Sequence, residues 1–377
     1  MEGRGSQKSD QQIVIMTLRP KILDRFIFKK FILSFLISLV LIILLVIVFD
    51  AGEKIDKFVS NQAPLKSIIV DYYFNFIPYF VNMYSPMFVF ITVIVFTSRL
   101  AANSEIIAIL SNGVSYHRMM VPYLVASALI ALFSLCLNLW VIPEANVERL
   151  AFENTYVKNR NTAIRDVHYQ IAPGQFVYVE SFSTWNNTAY KFSLENVEDN
   201  VIVSKLSAES ARWDSLSGAW RLRNYFIRDY SSGLSDRVTS GAQKDTVIAL
   251  TIEDFYRNSL TVQTLEYGEL ETLIKTQKMR GDSNVMYALI EKHNRWAMPF
   301  SAIILTIIGV SLSSRKKRGG IGWNLSFGIA LAFSYILFQR FAQMFVYTGL
   351  LPPGIAIWIP NFLFAIIAAI LYRHAPK

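Results

Sequence analysis

Chemistry needs reactive side chains at fixed spacings, and this sequence supplies few of them. Its four histidines, His117, His168, His293 and His374, are scattered, with neither an H-E-x-x-H pair nor metal-ligand spacing, so no zinc site is expected. Serines abound, but none sits in a G-x-S-x-G elbow. There is no G-x-x-x-x-G-K-[ST] phosphate loop, so the chain cannot hydrolyse ATP by that route. The single cysteine, Cys136, lies in an apolar stretch, which rules out an intrachain disulfide and suits a small packing residue. No catalytic residue, metal or cofactor is expected, and the chain does not read as an enzyme.

Three sets of polar residues beside apolar runs are the candidate working parts. Arg340 and Gln343 lie three apart on one face of an apolar stretch; an ionisable residue there faces a protein interior or aqueous cavity, or else snorkels to the interface. Lys54 and Lys57 crowd the end of the first apolar run with Asp50, Glu53 and Asp56, either as a solvated helix end or as a meeting point for an anionic lipid head group. Ser98 to Arg118 is a polar interruption in which Asn103 or Ser104 can cap a short helix over 103–112. Ile106, Ile107, Ile109 and Leu110 would form its apolar stripe, Glu105 its first turn, and Gly113 the left-handed residue past its end. Arg99 and Arg118 flank this amphipathic elbow.

The elements that must position these residues follow from hydropathy. Of 377 residues 53% are hydrophobic and 17% charged, and six stretches are long enough to cross a bilayer at about 1.5 Å per residue. They are Phe31–Phe49, Tyr72–Ser98, Met119–Pro143, Trp296–Ser314, Gly319–Gln339 and Phe341–Tyr372. The last contains the breaker Leu350-Leu351-Pro352-Pro353-Gly354, so the final two stretches read as two helices and a turn with Arg340 inside the first. Asn75, Pro78, Asn82 and Pro86 predict a kinked second span entering near Ile68, as a cavity lining or a simple packing kink.

The net charge of +9 reports topology rather than nucleic acid. Segments 1–30, 99–118, 315–318 and 373–377 hold 15 Lys and Arg against 4 acids, whereas 144–295 holds 18 against 20 and 50–71 holds 3 against 4. Basic segments alternate with spans, which puts both termini and the elbow in the cytoplasm. Residues 1–20 read as a polar disordered tail with Met16 a plausible alternative start, and the loop SSRKKRGG as a topology determinant. Span one, basic at its start and without a small-residue cleavage site, reads as an anchor.

Residues 144–295 are a different material. Glu144 to Val157 should continue span three as a polar helix, after which HYQIAP, GQFVYVE, AYKFSLENV, VIVSKLSAESARWD, AWRLRNYFIRDY and TVIALTI alternate with period two between Pro-Gly, Asn-Asn, Ser-Gly and Gly-Ala turns. An antiparallel sandwich or partly open barrel is expected, with Val177, Val179, Phe192, Leu194, Trp213, Trp220, Leu222, Tyr225 and Ile227 inward, filling a small core or leaving a slot for an acyl chain. A helix over 264–281, ended by Gly281, and another starting near Ser283 or Asn284 lead into span four. The domains are thus a tail at 1–20, spans one to three with the elbow at 21–143, an exported domain at 144–295, and spans four to six at 296–377.

Three stretches, SEIIAILSNGVSYHRM, GQFVYVE and MYALIEKHNRWAMPFSAIILTIIGVSLSSRKKRGG, resemble in order and spacing the lipopolysaccharide export permeases, the F and G subunits of the Lpt transporter, over about residues 20–375. The resemblance implies an α+β inner-membrane protein with six transmembrane helices (3+3) and an inserted periplasmic antiparallel β jelly-roll domain. It implies as partners a cytoplasmic ATPase dimer, a second homologous permease subunit, a periplasmic bridge protein, a membrane-anchored regulator and lipopolysaccharide. Glu105 takes the position of the elbow acid that engages the ATPase, with Gly113 closing the same helix and Arg99 beside it. Spans one and five build the lipid cavity, where this sequence offers Lys54, Lys57, Arg340 and Gln343. Whether the chain is an F or a G subunit stays open. So do two other classes, a different ABC export permease of the lipoprotein-releasing or macrolide-exporting kind, with four spans, and a non-transport envelope scaffold.

Overall fold

In hydrocarbon a backbone must satisfy its own polar groups, and a helix does so within one segment, which is why long apolar runs fold as helices. The computed structural model of the chain describes residues 22–157, 163–230, 237–256, 259–281, 284–314 and 320–375. The tail at 1–20, Ser283 and positions 315–319 of the basic loop lie outside the described residues. In chain order α1 is Ile22–Ser60, α2 Leu65–Ala102, α3 Glu105–Ser111 and α4 Tyr116–Tyr156. After the sheet come α5 Ile252–Tyr256, α6 Ser259–Val262, α7 Tyr267–Met279, α8 Val285–Ser313, α9 Gly320–Tyr347, α10 Pro353–Ala356 and α11 Ile359–Arg373. Six helical segments, α1, α2, α4, α8, α9 and the α10–α11 pair, are long and apolar enough to cross a membrane.

The irregularities fall where the prolines and polar residues are. The second span begins at Leu65 and passes through a π-helical stretch, Ile68–Tyr73, before regular α-helix resumes at Phe74. The Asn75 amide donates to the carbonyls of Val70 (3.2 Å) and Asp71 (2.9 Å), satisfying acceptors that the wider turn loosens. A second π-helical turn, Leu137–Val141, marks where the apolar part of α4 gives way to its polar extension Ile142–Tyr156, which carries Pro143 in its first turn as a helix start permits.

The strands are β1 Ala163–Ala172, β2 Gln175–Ser183, β3 Thr188–Glu198, β4 Val201–Asp214, β5 Ala219–Asp229 and β6 Arg237–Thr246. They form one antiparallel sheet in the order β1-β2-β3-β4-β5-β6. Each strand thus pairs with its chain neighbours, a meander, and the Greek-key crossings that define a jelly roll are not among these pairings. All nine residues expected to point inward do so: Val177, Val179, Phe192, Trp220 and Leu222 are buried, and Leu194, Trp213, Tyr225 and Ile227 pack against them. The rings interlock, with Phe182 stacked on Phe255 at 4.2 Å and Trp213 edge-on to Trp220 at 5.2 Å, so aromatic side chains pack at the centre of the core.

The sixth strand corrects the sequence expectation. TVIALTI is not a strand beyond its first residue; β6 is the polar RVTSGAQKDT, and the Gly-Ala pair lies inside it rather than in a turn. An edge strand exposed along most of its length carries no alternation to read. The apolar segment after it instead crosses the open side of the core, where Leu250 is fully buried and its carbonyl accepts from Trp220 Nε1 at 2.8 Å. The Asp199-Asn200 turn between β3 and β4, with both residues at positive φ, has the twist a two-residue hairpin requires.

Beyond the sheet, α7 starts with a capping box in which Glu266 and Glu269 exchange bonds with each other's backbone, and Gly281 (φ +62°) follows its end. The chain packs as two units. One comprises the chain to Asp50, Phe80–Asn138 and Asn294 onward; the other comprises Ala51–Tyr79 and Leu139–His293, which contains the sheet.

Candidate functional site

The elbow is the best-built candidate. Ser104 takes the N-cap position in the left-handed conformation (φ 60°), and its side chain makes no capping bond. Asn103 does not cap either: its amide donates to Glu105 Oε1 at 3.2 Å. The end of α3 is better made. Gly113, at φ +82°, donates to the Leu110 carbonyl (3.0 Å) and Val114 to that of Ile109 (3.4 Å), the paired bonds of a Schellman motif. Asn112 adds a side-chain bond to the Ala108 carbonyl at 2.7 Å.

Of the expected stripe, Ile106 is buried among Phe31, Leu100, Met119 and Val310, with Ile109 and Leu110 packed beside it. Ile107 departs from it. One residue along a helix turns about 100°, so Ile107 points outward and is 54% exposed. The outer surface of the elbow therefore presents Ile107, Ala108, Ser111 and Gly113, with half-exposed Glu105 in the first turn and exposed Arg99 in the last turn of α2.

What the sequence did not reveal is how the elbow is tied down. The three residues that open α4 each reach a different span. Tyr116 Oη donates to Ser311 Oγ of α8 at 3.3 Å, His117 Nδ1 lies 3.0 Å from Tyr372 Oη of α11, and Arg118 pairs with Asp24 of α1. On the entry side Asn324 of α9 donates to Ser98 Oγ at 3.2 Å. Four spans are thus linked to the residues bracketing a seven-residue helix. Asp24, Tyr116, Ser311 and Asn324 lie far apart in sequence, and no local motif connects them.

The lipid-contact candidates fare differently. Lys54 is half-buried, lies over the Tyr72 ring at 4.7 Å and bonds its hydroxyl, within an aromatic cluster that includes Phe58, Phe76 and Phe152. Lys57, one turn on, is exposed. Arg340 is exposed on α9 and donates to Gln343 Oε1 at 3.4 Å, so the i, i+3 pair forms, whereas neighbouring Gln339 turns inward to Tyr335 Oη at 3.0 Å. Lys54 and Lys57 belong to the unit that contains the sheet, Arg340 and Gln343 to the other. Spans one and five are the least packed: 11% and 22% of their most apolar stretches are buried, against 61% and 67% for spans two and four.

Sequence reasoning also missed the buried polar links of the span unit. Ser134 Oγ donates to Asn82 Oδ1 and Asn82 Nδ2 to Asn138 Oδ1, both at 2.6 Å, and Asn138 Nδ2 reaches the Arg295 carbonyl at 3.4 Å. On the other side Tyr335 Oη donates to Asn361 Oδ1, whose amide donates to the Ala297 carbonyl, both at 2.8 Å. Pro299 explains the first of these acceptors. It lacks the N–H that would bond the carbonyl four residues back, and the Arg295 carbonyl accepts from Asn138 instead. Among the described residues no cluster of His, Cys, Asp and Glu could hold a metal ion.

A multi-span membrane protein with an exposed elbow helix linked to its spans, and with an antiparallel sheet, is the class these features define. The chain matches the lipopolysaccharide export system permease LptF/LptG family over residues 25–374, nearly its whole length, and it belongs to that family. Members are permease subunits of an ABC transporter in the inner membrane and are not themselves enzymes. No individual curated protein matches the chain.

Proposed function

We propose that this permease receives a push on the elbow from a nucleotide-hydrolysing partner and uses it to lift lipopolysaccharide out of the inner membrane toward a periplasmic bridge. The observation that carries this is the bracing of the elbow: Tyr116, His117 and Arg118 hold α8, α11 and α1, so displacement of α3 is transmitted to three spans at once. Glu105 and Arg99 are the charged contacts offered to the ATPase, and Gly113 fixes the end of the helix that carries them. In this scheme the termini and elbow are cytoplasmic, the sheet is periplasmic, and three spans precede it and three follow. Sparse packing of α1 and α9 supports their use as the seams for lipid entry and for a second, homologous permease. Arg340 and Gln343 on α9, and Lys54 and Lys57 at the end of α1, are each offered to an acidic head group, by charge-assisted bonds worth about 1.5–3 kcal/mol each when desolvated.

The test is ATP-driven lipopolysaccharide release from proteoliposomes holding the permease with its co-purified partners. Glu105→Ala should insert and assemble normally yet lower release about tenfold, as expected for one lost charged contact. Export at the unmodified rate would overturn the coupling role. Arg340→Glu should weaken photo-crosslinking of lipid to α9, and undiminished crosslinking would remove Arg340 from the cavity. A four-span exporter is disfavoured by the six helices of membrane-crossing length.

A further inference from the structure

One groove in the sheet takes no part in the coupling scheme proposed above. It opens on the face turned away from the Trp220 core and has a volume of about 530 Å³. Trp185 and Asn186 of the β2–β3 turn, Tyr190 of β3, Ser210 and Arg212 of β4, and Arg223 of β5 line it. Register explains why they meet. Ser210 stands opposite both Tyr190 and Arg223, while Arg212 stands opposite Arg221, one face-sharing step from Arg223. Such diagonal neighbours on a sheet are about 7–8 Å apart at their backbones, within reach of long side chains converging on one point.

The charge there is unbalanced. Arg221 is taken by Asp245 at 3.2 Å and Asp214 at 3.3 Å, and the nearby acid Glu209 accepts from Asn224 at 2.5 Å. Among the described residues the side chains of Arg212 and Arg223 make neither an ion pair nor a hydrogen bond, and both residues are exposed. Two guanidinium groups facing one groove repel each other, and an anion between them reverses the sign of that interaction. Beside them Trp185 is 70% exposed, which leaves apolar area open to a partner.

Position selects the kind of ligand. A partner protein joining a sheet uses an edge, where backbone groups are unpaired. Here β3, β4 and β5 are all paired on both sides, so recognition falls to side chains alone. They offer two planar forks that match phosphate bidentately, a flat ring, and hydroxyl and amide groups suited to alcohols, with Asn186 Nδ2 holding Tyr190 Oη at 3.1 Å. We propose that this groove binds a phosphorylated sugar, Arg212 and Arg223 clamping the phosphate while Trp185 stacks against the sugar ring.

Saturation-transfer NMR on the full chain in phosphatidylcholine nanodiscs, with glucose 6-phosphate as the probe, tests this. Transfer to the sugar protons is expected from glucose 6-phosphate, to be about tenfold weaker from glucose, and to fall about tenfold in R212Q/R223Q, the loss expected for charge-assisted bonds. W185A should also diminish it. All three positions are exposed, so the variants should melt with the parent. Equal transfer from glucose and glucose 6-phosphate, or transfer that survives R212Q/R223Q, would overturn the site. Displacement of the probe by added lipopolysaccharide would identify the source as a glycolipid head group, and retention would identify a soluble phosphosugar; both outcomes keep the site. Failure here leaves the Glu105 experiment untouched, since the groove takes no part in coupling.

Discussion

Two glycines with the same backbone sign carry different penalties. Gly113 (φ +82°) has nothing within 4 Å of where a Cβ would stand, whereas a Cβ on Gly174 (φ +74°) would lie 2.5 Å from the Val197 carbonyl oxygen. An L residue in the left-handed region costs about 1–2 kcal/mol, and overpacking adds about 1–3 more. Gly113→Ala should therefore lower the thermal midpoint modestly, and Gly113→Asn less, since asparagine tolerates that conformation. Gly174→Ala should destabilise by about 2–5 kcal/mol by the same sum. Melting the variants side by side in nanodiscs checks the order, and equal shifts would contradict it. The sequence marks Gly113 as a helix end, but only the folded sheet brings a carbonyl against Gly174. Likewise Glu105 was legible as a first-turn acid, while its bond to Asn103 in place of a cap required coordinates.

At the scale of the element, α8 shows how a span tolerates its own defect. Pro299 has no N–H to give the Arg295 carbonyl, and Asn138 from α4 donates to it. Asn138→Leu should cost about 1–3 kcal/mol for the buried partners it orphans. In a Pro299→Ala background the helix regains its own N–H for that carbonyl, so the double variant should lose less than the sum of the single losses, a coupling a double-mutant cycle reads directly. Strict additivity would mean that the two residues are not linked in this way. In the sheet, Trp220→Phe removes the bond to the Leu250 carbonyl that holds the 247–251 crossing over the core. Faster proteolysis within that crossing is the expected result, and an unchanged digestion pattern would show that apolar contacts alone secure it.

At the scale of the whole molecule, one exposed residue in each unit can report topology. In a Cys136→Ser background, Leu216→Cys, at the 99% exposed tip of the β4–β5 turn, should react with an impermeant thiol reagent in intact spheroplasts. Asn103→Cys at the elbow should react only after permeabilisation. Labelling of both from one side would overturn the orientation and with it the coupling scheme.

Hydropathy by itself determined six membrane-length helices, because an apolar run in lipid has no alternative way to satisfy its backbone. Period-two alternation determined the inner strands and their nine core residues, since each pleat forces the choice of face. The tertiary structure alone decided the rest: β6 is an exposed edge with no pattern to read, and TVIALTI is apolar because it covers a core rather than pairs in a sheet. The bracing of the elbow by Asp24, Ser311, Asn324 and Tyr372 and the convergence of Arg212 and Arg223 on one groove bring together residues remote in sequence or lying on different strands, and such neighbours exist only once packing has chosen them.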